Sequence, residues 1–117
     1  MSTEELLLIM RSLLIKGKHI VKEHKMYKIY LPKEFVDIWE YLHKSGRKVD
    51  IIVIITEIKN VFDLPEVLRI LDKIIMRGRK ISKEYNNYKV YLSSRYNDIW
   101  EWVRKNNVKV DIILLIK

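Results

Sequence analysis

Residues 27–31 read Tyr-Lys-Ile-Tyr-Leu, and residues 48–55 read Lys-Val-Asp-Ile-Ile-Val-Ile-Ile. The chain repeats both segments sixty-one positions later, as Tyr-Lys-Val-Tyr-Leu at 88–92 and Lys-Val-Asp-Ile-Ile-Leu-Leu-Ile at 109–116. The first segment has the period-2 alternation of a strand, and the second is apolar on both faces. We therefore expect a half-buried strand followed by a central, buried strand in each copy.

The similarity extends beyond these two segments. Residues 5–55 align with residues 66–116 without a gap, and 22 of the 51 positions are identical. A match of this length predicts an internal duplication. Because roughly 60 residues alone bury too little surface for comfortable stability, the halves are expected to pack as a pseudo-two-fold single domain. The predicted division is 1–56 for the first repeat, 57–64 for a connector and 65–117 for the second repeat.

Each repeat is predicted to be an α-β-β-α-β module, which gives an α+β fold class. Residues 6–15 and 67–76 are apolar and stop just before Gly17 and Gly78, so helices ended by left-handed glycines are expected there. The last residues of the first segment could instead begin a strand. Two short strands around a polar break then predict a basic β-hairpin, and Asn86-Asn87 suit its tight turn.

A second helix is predicted around each of two tryptophans, Trp39 and Trp100. Apolar residues recur there at positions i, i+3, i+4 and i+7, and Gly46 and Asn107 are placed to end the helices. Both tryptophans are expected in the core, since they occupy the centre of the apolar stripe.

Composition limits the class of protein. The 117 residues include no Cys, so a disulfide framework and a thiolate metal site are excluded, and a cytoplasmic location is expected. The apolar runs are shorter than the roughly 20 residues that span a bilayer, so no membrane partner is expected. The chain also lacks Ala and Gln and is rich in Ile and Lys, which resembles proteins of hyperthermophilic archaea and their viruses.

The net charge of +8 is concentrated in two short segments. Residues 16–28 have five basic residues and one Glu, and residues 77–89 have the same, so each segment contributes 5 − 1 = +4. Closely spaced Lys and Arg neutralise phosphates and release counterions, which favours nucleic-acid binding. The predicted nucleic-acid-binding residues are Lys16, Lys18, Lys22, Lys25, Lys28, Arg77, Arg79, Lys80, Lys83 and Lys89.

The hairpin, helix and last strand of each repeat resemble the swapped-hairpin DNA-binding family of AbrB, SpoVT, MazE and MraZ. The resemblance lies in Leu31-Pro32-Lys33-Glu34 after a basic hairpin, and in Gly46, Lys48-Val49 and Asp50 before an apolar strand. The second repeat departs from this pattern, with Ser93-Ser94-Arg95 in place of Pro-Lys-Glu. The resemblance implies two interlocked hairpins that present first-strand basic residues to DNA, with both partners in one chain.

The functional hypothesis is a double-stranded DNA-binding protein, a small transcriptional regulator or antitoxin-like repressor. The alternative is a protein–protein interaction module, such as a viral inhibitor of a host factor, whose hairpins face an acidic partner. Single-stranded nucleic acid or RNA is a third hypothesis, favoured if Tyr30 and Tyr91 are exposed for stacking. The apolar N-terminal helix is also a candidate homodimer contact.

No catalytic residue, metal or cofactor is expected. The three histidines, His19, His24 and His43, have no His counterpart in the other repeat. Asp50 with Glu57-Ile-Lys59 loosely resembles the carboxylates and lysine of magnesium-dependent nucleases, but the second repeat stops at Lys117 and lacks this pattern. Asp50 and Asp111 are therefore interpreted as caps or ion-pair partners.

Overall fold

The computed structural model describes residues 12–55 and 73–116, which form a small α+β fold with two antiparallel sheets. A single 3₁₀ turn, Lys33–Phe35 or Ser94–Tyr96, leads into each of the two described helices. In chain order the elements are β1 Ser12–Lys18, β2 Val21–Glu23, β3 Met26–Tyr30, α1 Val36–Ser45, β4 Lys48–Ile55, β5 Lys73–Lys80, β6 Ser82–Glu84, β7 Asn87–Tyr91, α2 Asn97–Lys105 and β8 Val110–Ile116.

Strands from the two parts of the chain alternate across the first sheet. Its order is β1-β8-β4-β5, and the second sheet has the order β2-β3-β7-β6. The prediction of central, buried strands is confirmed for β4 and β8, which pair with each other in the middle of the first sheet and bury every second side chain. In the second sheet β3 pairs with β7, so the two hairpins lie side by side.

The segments predicted as the first helix of each repeat are strands wherever the structure describes them. Residues 12–15 belong to β1 and residues 73–76 to β5, so the helix prediction is wrong for these residues, and the alternative that the first segment ends in a strand is confirmed. Leu13 and Ile15 are buried while Leu14 between them is exposed, which is the alternation of a strand. Pairing with β8 and β4 outweighs local helix propensity. The rest of residues 6–15 and 67–76 lies outside the described residues.

Gly17 and Gly78 have the predicted left-handed backbone but sit at β-bulges. Their φ angles are +66° and +65°, and the register of β1 with β8 and of β4 with β5 shifts beside them. Their N–H groups donate to Asp111 Oδ1 at 2.9 Å and Asp50 Oδ1 at 3.0 Å. A bulge bends its strand, and each of these precedes the point where the chain passes from the first sheet to the second.

Replacing either bulge glycine with alanine is expected to cost about 1–2 kcal/mol of unfolding free energy, because a Cβ disfavours the left-handed conformation. The cost is conformational, since that Cβ would approach nothing nearer than Lys109 Cδ at 4.0 Å or Lys48 Cδ at 3.9 Å. Urea denaturation measures it. Gly78→Asn is the control and should cost less, because Asn tolerates this region; an alanine variant as stable as its parent would contradict the assignment.

The helices follow the sequence prediction closely. Trp39 and Trp100 are buried, and their Nε1–H groups donate to the carbonyl oxygens of Pro32 at 2.7 Å and Ser93 at 2.8 Å. Gly46 and Asn107 take left-handed φ angles of +67° and +53° just after the helices end. The core position of both tryptophans is thus confirmed. Neither helix in residues 12–55 and 73–116 is long and apolar enough to cross a membrane.

Both hairpins have two-residue loops, His24-Lys25 and Tyr85-Asn86. The first loop residue takes the positive φ in each, +56° at His24 and +54° at Tyr85. The prediction that Asn86-Asn87 would take it is wrong, because Asn87 already pairs with Glu84 and moves the loop one residue earlier.

Candidate nucleic-acid interface

The structure divides the ten predicted basic residues by their exposure. Lys28 and Lys89 are buried, with only 3% and 5% of their surface accessible. Lys18 and Arg79 are half-buried. The remaining six are exposed: Lys16, Lys22, Lys25, Arg77, Lys80 and Lys83.

The two buried lysines belong to a charge cluster where β3 pairs with β7. Lys28 Nζ lies 2.8 Å from Glu23 Oε2 and 3.4 Å from Glu84 Oε2, and Lys89 Nζ lies 3.4 Å from the same two oxygens. Two tyrosine hydroxyls complete it: Tyr30 donates to Glu84 at 2.9 Å and Tyr91 donates to Glu23 at 3.3 Å. We call these six residues, Glu23, Lys28, Tyr30, Glu84, Lys89 and Tyr91, the central cluster.

Ionisation in the central cluster is strongly favoured. The Lys28 hydrogen bond, opposed by desolvation and supported by Lys89, lowers the pKa of Glu23 from 4.5 to about 2. The Tyr30 hydroxyl lowers the pKa of Glu84. Desolvation pulls the pKa of Lys28 down, but hydrogen bonds to Glu23 and Tyr30 outweigh it and the net pKa is raised. The cluster therefore holds two positive and two negative charges near neutral pH.

The cluster is neutral, so the excess charge of the chain sits elsewhere. The two lysines and two glutamates of the central cluster contribute 2 − 2 = 0 to the net charge. The formal net charge of +8 therefore equals the number of predicted basic residues outside the cluster, which is eight. Within residues 12–55 and 73–116, only Lys22 among these eight lies within ion-pair distance of a carboxylate, Glu101 at 4.0 Å. All eight are exposed or half-buried, and we call them the basic set.

Five members of the basic set lie at two corners of the first sheet. Lys16 and Lys18 are at the end of edge strand β1, where β8 begins. Arg77, Arg79 and Lys80 are at the end of the other edge strand, β5, where β4 begins. The two bulges therefore place positive charge at opposite edges and opposite ends of the sheet.

Sequence reasoning missed further basic residues at these corners. Lys48 is the strand partner of Lys80, and the Lys109 side chain passes close to Gly17. The signal was the Lys that precedes Val-Asp in both apolar segments, 48–55 and 109–116. The count of net charge did not identify these two lysines, because they lie outside the two basic segments, among residues whose positive and negative charges sum to zero.

A basic groove of about 440 Å³ lies between the end of α1 and the passage from β5 to β6. Its wall includes His43, whose Nδ1 lies 2.8 Å from the carbonyl oxygen of Ile81. The His43 and Tyr88 rings pack edge to face, with their centroids 5.9 Å apart. Arg47, which the sequence prediction left out, also lines it. The full lining is Leu42, His43, Gly46, Arg47, Lys80, Ile81, Ser82 and Lys83.

Tyr30 and Tyr91 are half-buried rather than exposed. Each is the cross-strand partner of a buried lysine, Tyr30 of Lys89 and Tyr91 of Lys28. Each ring also lies 4.8 Å from the Nζ of the lysine two residues before it. The exposure that would favour stacking on single-stranded bases is not observed, and the tyrosines serve cross-strand packing instead.

Asp50 of the nuclease-like comparison and its counterpart Asp111 hold the bulges of the first sheet. Asp50 and Asp111, interpreted from the sequence as caps or ion-pair partners, accept hydrogen bonds from the N–H groups of the bulge glycines. Glu57 and Lys59 of the nuclease-like pattern lie outside the described residues. Within the part that the structure describes, no group of three or more His, Cys, Asp or Glu could hold a metal ion.

Comparisons with known proteins add no relative. No family model, no curated protein and no solved structure matches the chain. The resemblance to the swapped-hairpin family stays a prediction, and the functional argument rests on the residues and their geometry.

Proposed function

We propose that this chain binds double-stranded DNA as a small transcriptional regulator or antitoxin-like repressor. The observation that carries the proposal is the match between the formal charge of +8 and the eight residues of the basic set, all at least partly exposed. Apart from Lys22, these side chains have no ion pair with a carboxylate of the described residues, so they can neutralise phosphates, and the release of counterions from the duplex then provides affinity.

We further propose that the halves arose by duplication and are related by a pseudo-two-fold axis. The palindromic strand orders support this, since β4 and β8 are sequence-equivalent neighbours in one sheet and β3 and β7 in the other. Such an axis makes the two corners equivalent. Two equivalent basic corners suit a pseudo-palindromic duplex, whose phosphates repeat with the same symmetry.

The swapped-hairpin resemblance is in keeping with this arrangement. The two hairpins meet where β3 pairs with β7, so both partners come from one chain. The central cluster neutralises the middle of that sheet and leaves charge on its edge strands at Lys22 and Lys83, in the first hairpin loop at Lys25, and at the corners of the first sheet. Contacts of this kind position a protein on the phosphate backbone, and base readout by a β-ribbon would supply sequence preference.

Binding of labelled random-sequence duplex, single strand and RNA at about 100 mM salt tests the class of nucleic acid. Duplex is expected to bind at least tenfold tighter than single strand, because Tyr30 and Tyr91 are engaged in the central cluster rather than exposed for stacking. Fluorescence anisotropy measures all three. Equal or tighter binding of single strand would contradict the proposal.

A protein–protein interaction module is the second candidate, and one observation favours it. The outer face of the first sheet carries a row of aliphatic side chains across all four strands, Leu14, Ile113, Ile52 and Ile75. Leu14 and Ile75 at its ends are 54% and 52% exposed. Duplex DNA should compete with an acidic protein for the basic set but not with a partner held by this row.

A further inference from the structure

The basic groove gathers positive charge without a carboxylate in its lining. Arg47, Lys80 and Lys83 all line it, which gives three cationic side chains around about 440 Å³. Glu40 of α1 pairs with Lys44, whose Nζ lies 2.9 Å from Glu40 Oε1, and the charge of Lys83 acts on this glutamate only as a weaker influence on its lowered pKa. None of the three groove cations has an ion pair with a carboxylate of the described residues, and such cations around a concave space suit an anion.

His43 adds a polar ring to this wall. Its Nδ1 lies 2.8 Å from the Ile81 carbonyl oxygen, which can only accept, so Nδ1 carries the proton and donates. The Tyr88 ring packs against the histidine edge to face. Both contacts fix the ring, so Nε2 is presented in a defined orientation.

The sequence-equivalent position on the other side of the molecule has different residues from the basic groove. Sixty-one residues along, His43 corresponds to Arg104 and Arg47 corresponds to Val108. Val108 is 1% exposed, so its side chain is part of the core. Lys80 corresponds to His19. Two of the three groove cations, Arg47 and Lys80, are therefore replaced there, and the other basic groups have different neighbours.

A carboxylate neutralises the remaining basic groups on that side. Glu101 accepts hydrogen bonds from the Tyr27 hydroxyl and, at 2.6 Å, from Arg104. Lys22, the equivalent of Lys83, lies 4.0 Å from the same glutamate. Arg104 and then Tyr27 lower the pKa of Glu101 to about 2, so its negative charge persists at neutral pH. The equivalent position is thus occupied by its own ion pairs.

We propose that the basic groove binds a phosphate group and that its sequence-equivalent position does not. Three cations around the groove suit a phosphate with two or three free oxygens. The inference deepens the proposed function and rests on it where the phosphate belongs to the DNA backbone, while a small phosphorylated molecule offers the same chemistry. Binding at one groove alone would add a phosphate contact on one side of an otherwise symmetric arrangement and so give the chain a defined polarity on the duplex.

The test compares two double variants that each remove two positive charges. The variant Arg47→Ala/Lys83→Ala removes two of the three cations that line the basic groove. The variant Lys22→Ala/Lys105→Ala removes the two lysines that lie closest to Glu101 on the other side. Pyrophosphate is titrated into parent and variants and followed by amide NMR shifts, and duplex DNA is titrated by anisotropy. We expect pyrophosphate to shift groove residues of the parent and of Lys22→Ala/Lys105→Ala, but not of Arg47→Ala/Lys83→Ala.

The two titrations separate the source of the phosphate. Duplex affinity that falls at least fivefold more in Arg47→Ala/Lys83→Ala than in its counterpart assigns the groove to the DNA backbone. If duplex affinity falls equally in the two double variants while the parent binds pyrophosphate, the groove is assigned to a small phosphorylated molecule. Pyrophosphate shifts that are absent, or equal at the two positions, would overturn the phosphate site even if the parent binds duplex. Duplex binding absent from the parent would refute the proposed function, and the pyrophosphate titration would still decide the groove.

Discussion

Replacing Lys16, Lys18, Arg77 and Arg79 with alanine is expected to lower duplex affinity by about 100-fold or more at about 100 mM salt, because each lost phosphate contact also forfeits counterion release. These residues form two sequence-equivalent pairs at the bulges. They are exposed or half-buried and lack carboxylate partners among the described residues, so the fold should persist. Anisotropy measures affinity, and circular dichroism checks folding.

A matched control removes the same charge from another surface. Lys33, Lys44, Arg95 and Lys105 are all exposed and lie on the helices or the 3₁₀ turns before them. Their alanine variant also loses four positive charges, but it leaves both corners intact. We expect it to lower affinity by less than about tenfold through long-range electrostatics alone. Equal losses in the two variants would show that net charge matters and that the corners have no special role.

Replacing Glu23 and Glu84 together with glutamine is expected to lower the melting temperature by on the order of 10 °C, since the half-buried carboxylates compensate two buried lysine charges that would lose their partners. Lys28 and Lys89 would keep their buried positions without any carboxylate. Differential scanning calorimetry measures the shift. Glu40→Gln is the control: it removes an exposed helical pair with Lys44 and should change the melting temperature by no more than about 2 °C.

The central cluster also sets a pH dependence. The pKa of Glu23 falls from 4.5 to about 2 on folding and that of Glu84 is lowered too, so their stabilisation is complete above about pH 4.5 and is lost as pH falls toward 2. The gap in melting temperature between parent and the glutamine variant should narrow over that range. Adding Lys28→Met and Lys89→Met should recover stability at neutral pH. A glutamine variant that melts with its parent would contradict the cluster.

Local features of the fold were predictable, and long-range pairing was not. The hairpins and the helices around Trp39 and Trp100 depend on neighbouring residues, and their periodicity is visible in the sequence. By contrast, residues 12–15 and 73–76 are compatible with a helix or a strand, and only pairing with β8 and β4 decides between them. The glycines were correctly expected to be left-handed, but a bulge and a helix end require the same backbone.

The candidate site was predictable as a set of charges and not as a surface. Counting charge located the basic segments, but it could not show that Lys28 and Lys89 turn toward glutamates contributed by both hairpins. That pairing depends on the register of β3 with β7. The groove was missed for a different reason: it arises where the halves differ, at Arg47 and Val108, whereas the sequence argument followed the identities.

The salt dependence of duplex binding tests the central claim most directly. The logarithm of affinity should fall linearly with the logarithm of salt between about 50 and 200 mM, with a slope near −0.9 per phosphate contact, so about four to eight contacts give roughly −4 to −7. The alanine variant of Lys16, Lys18, Arg77 and Arg79 should lose about 3 to 4 of that slope. A slope near zero, or the same slope in parent and variant, would contradict the assignment of DNA binding to the basic set.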